Sequence, residues 1–278
     1  MSIKGFFIRR KKFNQIARDI KTIKIQGARN IAKAAIYAYS LISTQKSKNK
    51  LISLRPTEPM LHKVLQELEK GSDYEEILSH FDIAQGKINK NVFSTIKAGD
   101  TIFTHCHSTN VVNALIYSKQ RKKKFEVFNT ETRPLFQGRK TAEELSNSGI
   151  NVTMFIDSAL GLALSKKDHN GKNIVKKIFL GADALLAEGI INKIGSGLIA
   201  DISKEKGIPV YIIADSWKFS PKKISFEQRS LNEIWDKAPK FVKIKNPAFE
   251  FVPKKNITKI ITELGVMSYE EFLRKVRN

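Results

Sequence analysis

The chain carries one cysteine, Cys106, in the run Thr104-His105-Cys106-His107-Ser108. A thiol between two imidazoles at the end of a strand can hold a depressed pKa and act as a base or nucleophile; the competing reading is a small buried hydrophobe. The natural partner is Asp183. In a closed pocket near a thiolate or phosphates, its carboxyl group can keep a proton and donate it, whereas in a purely structural role it would cap a helix or pair with Lys193. Asn192-Lys193-Ile194-Gly195-Ser196-Gly197 leads small residues into a helix, so free N–H groups and the positive dipole end could cradle a phosphate beside Lys193. The same pattern also makes a plain tight connection. A metal site at His105-Cys106-His107 lacks further ligands, because His62, His80 and His169 stand at no recognisable spacing. The first strand-to-helix loop is not G-x-G-x-x-G, so no NAD or FAD is expected, and neither metal nor cofactor is assigned.

These groups must be positioned by an α/β fold: an N-terminal helical domain followed by a Rossmann-like parallel-sheet domain. Apolar residues recur at three and four in Phe13, Ile16, Ala17, Ile20 and Ile23, and RNIAKAAIYAYSLIS is apolar nearly all round, as in a buried helix. Gln26-Gly27-Ala28 is a turn between them. Arg55-Pro56-Thr57 opens the next helix, with Pro at its first position and Met60, Leu61, Val64, Leu65 and Leu68 on one stripe; another helix covers Tyr74 to Phe81. From about Gly99, β-branched and aromatic runs alternate with helical ones, as in βαβ units. Strands are expected at Thr101–Thr104, Phe125–Thr130, Val152–Ile156, Lys177–Leu180 and Val210–Ile213. Helices are expected at Asn110–Lys119, Thr141–Ser148, Ala159–Ala163 and Ser196–Glu205, and Ser268 with Glu271 forms a capping box before Phe272 and Val276. The division falls near residue 95, giving a helical cap over 1–95 and an active-site domain over 96–278.

Ligands of open parallel sheets bind beyond the carboxyl ends of the strands. The five expected strand ends carry His105 to Ser108, Glu131-Thr132-Arg133, Asp157-Ser158, Ala182-Asp183 and Asp215 to Lys218, which points to one shared polar pocket.

The 278 residues are 41% apolar and 27% charged, the proportions of a folded globular protein. One cysteine excludes a disulfide framework and fits a reducing compartment. The basic N-terminus holds only the short apolar run Phe6-Phe7-Ile8, and no apolar run could span a bilayer, so a cytoplasmic protein without membrane contact is expected. With 49 basic and 27 acidic residues the formal charge is +22. That surplus attracts anions generally: nucleic acid, a phosphorylated metabolite, or nothing in particular in a lysine-rich proteome. The basic runs lack the interleaved aromatics of a base-stacking platform, so no specific nucleic acid is assigned.

Four long stretches, THCHS from Thr104, TETRPLFQGRKTAEEL from Thr130, GADALLAEGIINKIGS from Gly181 and ADSWKF from Ala214, together resemble one superfamily. It comprises the aldose-phosphate isomerases and the regulatory subunits of translation initiation factor 2B. Ile25-Gln26-Gly27-Ala28 and Leu54-Arg55-Pro56-Thr57 look like family elements too. The stronger likeness is to the archaeal ribose-1,5-bisphosphate isomerases, since Cys106 and Asp183 match the catalytic pair that the initiation-factor subunits replace. Methylthioribose-1-phosphate isomerases are similar but read T-H-C-N where this chain has Thr104-His105-Cys106-His107. A non-catalytic initiation factor 2B-like subunit, or a methylthioribose-1-phosphate isomerase, is the alternative. The resemblance implies isomerisation of ribose 1,5-bisphosphate to ribulose 1,5-bisphosphate in nucleoside monophosphate salvage. It makes Cys106 the proton acceptor, Asp183 the proton donor, and Gln26, Gly27, Ala28, Arg29, Arg55, Ser108, Thr109, Asn110, Asn192, Lys193 and Lys218 the groups that bind the phosphorylated sugar. It also implies a homo-oligomer, dimer or hexamer, and leaves AMP regulation open. The chain departs from the family at the first turn, where Gln26 stands in place of the usual arginine and Arg29 follows three residues later.

Overall fold

The computed structural model describes residues 3–22, 24–25, 27–55, 58–222, 224 and 229–277. Five helices come first: α1 (Ile3–Lys21), α2 (Ala28–Leu41), α3 (Gln45–Leu54), α4 (Pro59–Glu69) and α5 (Tyr74–Thr95). Phe13, Ala17 and Ile20 of α1 are buried with Ile31, Ile36, Leu51, Leu61, Val64 and Leu65, so the spacing that predicts the first helices also gives their core face. Ile23 lies outside the described residues. The proline at the first position of α4 is Pro59, with Glu58 as the cap, not Pro56, which with Thr57 lies outside the described residues. α3 is an unanticipated helix; its sequence is mostly polar, and it starts where the Thr44 side chain accepts a hydrogen bond from the Ser47 N–H at 3.2 Å.

α5 is the other correction, because it runs fourteen residues beyond the expected Phe81 to Thr95. Asp73 and Glu76 form a reciprocal capping box at its start, at 2.7 and 3.0 Å. Its Ile77 and Phe81 belong to the helical core, whereas Ile88 and Val92 pack with Ile102, Val111 and Val127 against the sheet. One continuous helix therefore joins the two cores and sets the first half of the chain against the second.

The second half alternates as the patterning predicts: β1 (Asp100–Thr104), α6 (Thr109–Gln120), β2 (Phe125–Thr130), α7 (Gln137–Asn147), β3 (Asn151–Phe155), α8 (Leu160–Ser165), β4 (Val175–Leu180) and β5 (Ala184–Leu185). There follow β6 (Gly189–Lys193), α9 (Ser196–Glu205), β7 (Val210–Ile213), β8 (Phe249–Pro253), β9 (Lys259–Thr262), β10 (Gly265–Met267) and α10 (Tyr269–Arg277). The seven-stranded sheet has the order β10-β9-β7-β4-β1-β2-β3, and every neighbouring pair is parallel except β9 with β10. Its central strand β1 is buried on both faces, with Phe103 packed in one core and Ile102 in another. The expected strands and helices match within a few residues, except that α7 starts four residues early and α8 is entered through a 3₁₀ turn at Asp157–Ala159. At the C-terminus, the Ser268 hydroxyl accepts from the Glu271 N–H at 3.2 Å and Phe272 is fully buried.

A second sheet, β5-β6-β8, is antiparallel and pairs residues 189–193 with 249–253. Local periodicity does not announce it, since its strands meet across some sixty residues of intervening chain. No described helix is long and apolar enough to cross a membrane.

Candidate active site

The strand order reverses its direction of growth between β1 and β4, the place where an open α/β sheet leaves a crevice. A cavity of about 280 Å³ lies there, lined by both Cys106, just beyond β1, and Asp183, just beyond β4. The cysteine backbone is held in the left-handed region, at φ 63°, by bonds from its neighbours. Its N–H donates to Thr132 Oγ1 at 3.0 Å, and its carbonyl accepts from Thr141 Oγ1 at 2.8 Å. Such a conformation persists only where the surroundings over-determine it, and it turns the chain sharply off the strand into the cavity.

The five strand ends do not all face this cavity, contrary to the sequence expectation. Those of β1, β4 and β7 line it; Glu131, Thr132, Arg133, Asp157 and Ser158, beyond β2 and β3, do not. β2 and β3 lie on one side of the switch point, and their end residues instead build the support behind Cys106. Asp157 accepts from the N–H groups of Thr132 and Arg133 at 2.9 and 2.6 Å, which fixes the hydroxyl that holds the cysteine.

The flanking imidazole rings do not activate the thiol, because each bonds to another group. His105 is buried, with Nδ1 2.5 Å from Thr130 Oγ1 and Nε2 2.8 Å from the Ile194 carbonyl oxygen, and burial pushes its pKa down. His107 Nε2 lies 3.2 Å from Glu144. Burial pushes the Cys106 thiol up to about 11; Lys193 and a bond from the His107 backbone N–H oppose the rise, while Asp183 and Asp157 add to it. The depressed pKa expected from the neighbouring imidazoles is therefore corrected: with no ligand bound, a thiol is the resting form at neutral pH. Among the described residues, no group of three or more His, Cys, Asp or Glu side chains is placed to hold a metal ion.

Of the other candidate residues, Gly27, Arg29, Arg55, Ser108, Thr109, Asn110, Asn192, Lys193 and Lys218 all line the same cavity. Gln26 lies outside the described residues, and of Ala28 only the backbone is described, as the first residue of α2. Arg29 reaches the cavity from the first turn of α2 and pairs with Asp82 at 2.7 Å. Arg55 is buried, 3.5 Å from Glu58. Lys218 Nζ donates to the Ala182 carbonyl oxygen at 2.6 Å. Six Arg and Lys side chains line the cavity against three carboxylates, Glu58, Asp183 and Asp215, so the space favours an anion.

Two helix N-termini also face it. Residues 108–110 and Asn113 present the start of α6, with no side-chain cap from Ser108, and Gly27, Arg29 and Asn30 present the start of α2. The start of α9 does not, which corrects the expected cradle. Glu250 of β8 accepts the Gly197 N–H at 2.8 Å, and Gly195 packs on the His105 ring, so only Asn192 and Lys193 of that segment reach the cavity. Sequence reasoning also missed Gln85, Gln137, Lys140 and Arg229. Gln85 left a signal: it stands four residues beyond Phe81 on the buried side of α5, a polar interruption of an apolar stripe. It bonds Asn110 at 2.8 Å and so ties α5 to the start of α6.

A thiol, a carboxyl group and an excess of cations converging on the switch point of a parallel sheet define an α/β protein whose cavity favours a small anion. The comparisons place it more closely. The model of the Initiation factor 2 subunit family matches residues 43–269, and the chain belongs to that family. It is 36% identical to a ribose 1,5-bisphosphate isomerase of Methanocaldococcus jannaschii, over 89% of this chain and 89% of that one. It is 31% identical to a methylthioribose-1-phosphate isomerase of Thermosipho africanus, over 96% and 90%. Among solved structures it is similar to the translation initiation factor eIF-2B of Pyrococcus horikoshii OT3, with a TM-score of 0.79, 26% identity, and coverage of 92% of this chain and 96% of that one.

Proposed function

We propose that the protein is an aldose–ketose isomerase that converts ribose 1,5-bisphosphate to ribulose 1,5-bisphosphate, with Cys106 and Asp183 as its acid–base pair. The observation that carries this reading is that the two side chains, remote in sequence, line one small cavity whose walls supply two helix N-termini and a surplus of cations. Two anion-binding ends suit a substrate with two phosphates better than one with a phosphate and an apolar methylthio group. In this reading Arg29, Arg55, Lys193 and Lys218, together with the starts of α2 and α6, hold the two phosphates.

C1 bears its phosphate ester in both substrate and product, so no free aldehyde forms. Asp183, protonated, gives its proton to the ring oxygen as that oxygen leaves C1, and the Cys106 thiolate takes the proton from C2. The enol that results keeps the phosphate on C1. The thiol then returns a proton to C1, and the C2 hydroxyl gives its proton back to Asp183 as C2 becomes the carbonyl. A thiol with a pKa of about 11 is ionised only about one part in 10⁴ at pH 7. Its thiolate is correspondingly strong, which suits removal of a weakly acidic C–H proton. Residues 1–95 form the cap, with Phe81 and Gln85 of α5 and the start of α2 closing the cavity against water. The protein works in the cytoplasm as a homo-oligomer; the exposed Met154, Ile156 and Leu162 along the β3 edge supply an apolar surface for assembly.

Incubation of the purified protein with ribose 1,5-bisphosphate, followed by ³¹P NMR, is expected to show ribulose 1,5-bisphosphate without any added cofactor, and no product with Cys106→Ser. Turnover of methylthioribose 1-phosphate in its place, or of neither sugar, refutes the reading.

A further inference from the structure

Lys218 stands on a short 3₁₀ turn, Ser216–Lys218, between β7 and the chain beyond it. A turn of three residues has little stiffness of its own, so the position of its ammonium depends on what grips the turn. Two grips come from distant chain. Glu263, just beyond β9, accepts from the Ser216 N–H at 3.0 Å and from the Ser216 hydroxyl. From the opposite side, His80 of α5 places Nε2 3.1 Å from both oxygens of Asp215, whose Oδ1 also accepts the Trp217 N–H at 2.9 Å.

The same histidine lies flat on Trp217, with ring centroids 3.5 Å apart and planes 6° from parallel, and Phe81 meets the indole edge-on. Among the described residues, Trp217 is the only side chain from beyond residue 81 that packs into the helical core. The turn that carries Lys218 is thus plugged into the helical half of the molecule by its tryptophan and tied there by one imidazole–carboxylate bond. Asp215 itself lines the cavity, and Lys218 donates to the carbonyl just before Asp183, so any shift of the turn moves groups at the centre of the site.

We propose that His80 is a positioning residue: through its bond to Asp215 it sets where the Lys218 ammonium stands in the cavity. Its effect on the sugar rests on the isomerase reading, in which Lys218 binds a phosphate; its effect on Lys218 does not. His80 touches no reacting atom, and the Gln85 pair with Asn110, one helical turn further along α5, gives that helix a second hold on the cavity wall.

The test uses His80→Phe, which keeps a ring on Trp217 and removes the donor to Asp215, and His80→Gln, which restores a donor. Acetylation of Lys218 in the ligand-free protein is followed by mass spectrometry against the exposed Lys204. His80→Phe is expected to speed Lys218 labelling severalfold and His80→Gln to keep it within about twofold of the parent. In the sugar assay His80→Phe is expected to raise KM about fivefold with kcat within about twofold, and to add nothing to Lys218→Ala. Unchanged labelling in His80→Phe, or KM effects that multiply in the double variant, overturns the proposal. Faster labelling in a protein that fails to isomerise the sugar sinks the isomerase reading and leaves the role of His80 standing.

Discussion

The starts of α6 and α9 are built alike and end up opposite. Each follows a strand after a short loop, and each has first-turn N–H groups without an intrahelical partner at the positive end of a helix dipole. At α9, a carboxylate from β8 takes up the Gly197 N–H, and a Cβ on Gly197 would come within 2.8 Å of it, so the anion site is filled by the protein's own glutamate. At α6, no side chain caps the helix from Ser108, and residues 108–110 face the cavity. Gly181 makes room there, since a Cβ on it would lie 2.6 Å from the Ser108 side chain. One end is closed by the fold itself and the other opens on the cavity. The difference lies in what a remote strand brings to each.

Three substitutions and one pH profile test the difference between the two helix starts. At the open end, Cys106→Ser is expected to lower kcat at least about 10³-fold while calorimetry still shows the sugar bound. The raised thiol pKa gives the next largest effect. Only the thiolate reacts, and a pKa of about 11 puts that form at high pH, so alkylation of Cys106 by iodoacetamide should quicken about tenfold per pH unit from 7 to 10 and level off near 11. A plateau already at pH 8 contradicts the burial argument. Gly181→Ala pushes on Ser108 and is expected to raise KM about tenfold in steady-state assays. Smallest is Glu250→Gln at the closed end, which should cost about 0.5–1 kcal/mol in urea unfolding and leave KM within about twofold. A KM shift as large as that of Gly181→Ala would show that α9 also meets the ligand.

Much of the fold was legible in the chain because its cues are local. The β-branched and aromatic runs that form β1, β2 and β7, the three-and-four spacing in α1 and α4, and the Ser268 cap before α10 each act over a few residues. So was the pair Cys106 and Asp183, once both were read as lying beyond strand ends of a parallel sheet. The small sheet was not legible, since β6 finds β8 only after folding, and neither was the long run of α5 past Phe81, whose second half is apolar towards a different core. His80 carried no mark of function in isolation and Gln85 only its polar place on an apolar stripe; contacts with Asp215 and Asn110, both distant in sequence, join the two to the cavity wall.

Short-range patterning was enough to mark an α/β chain with a thiol and a carboxyl group at two strand ends, because a strand and the loop that follows it are local properties. Only folding brings the imidazoles beside Cys106 to other partners, raises the thiol pKa through burial, and opens α6 rather than α9 on the cavity. Desolvation and electrostatic fields sum over every group nearby in space, and most of those groups are far away along the chain.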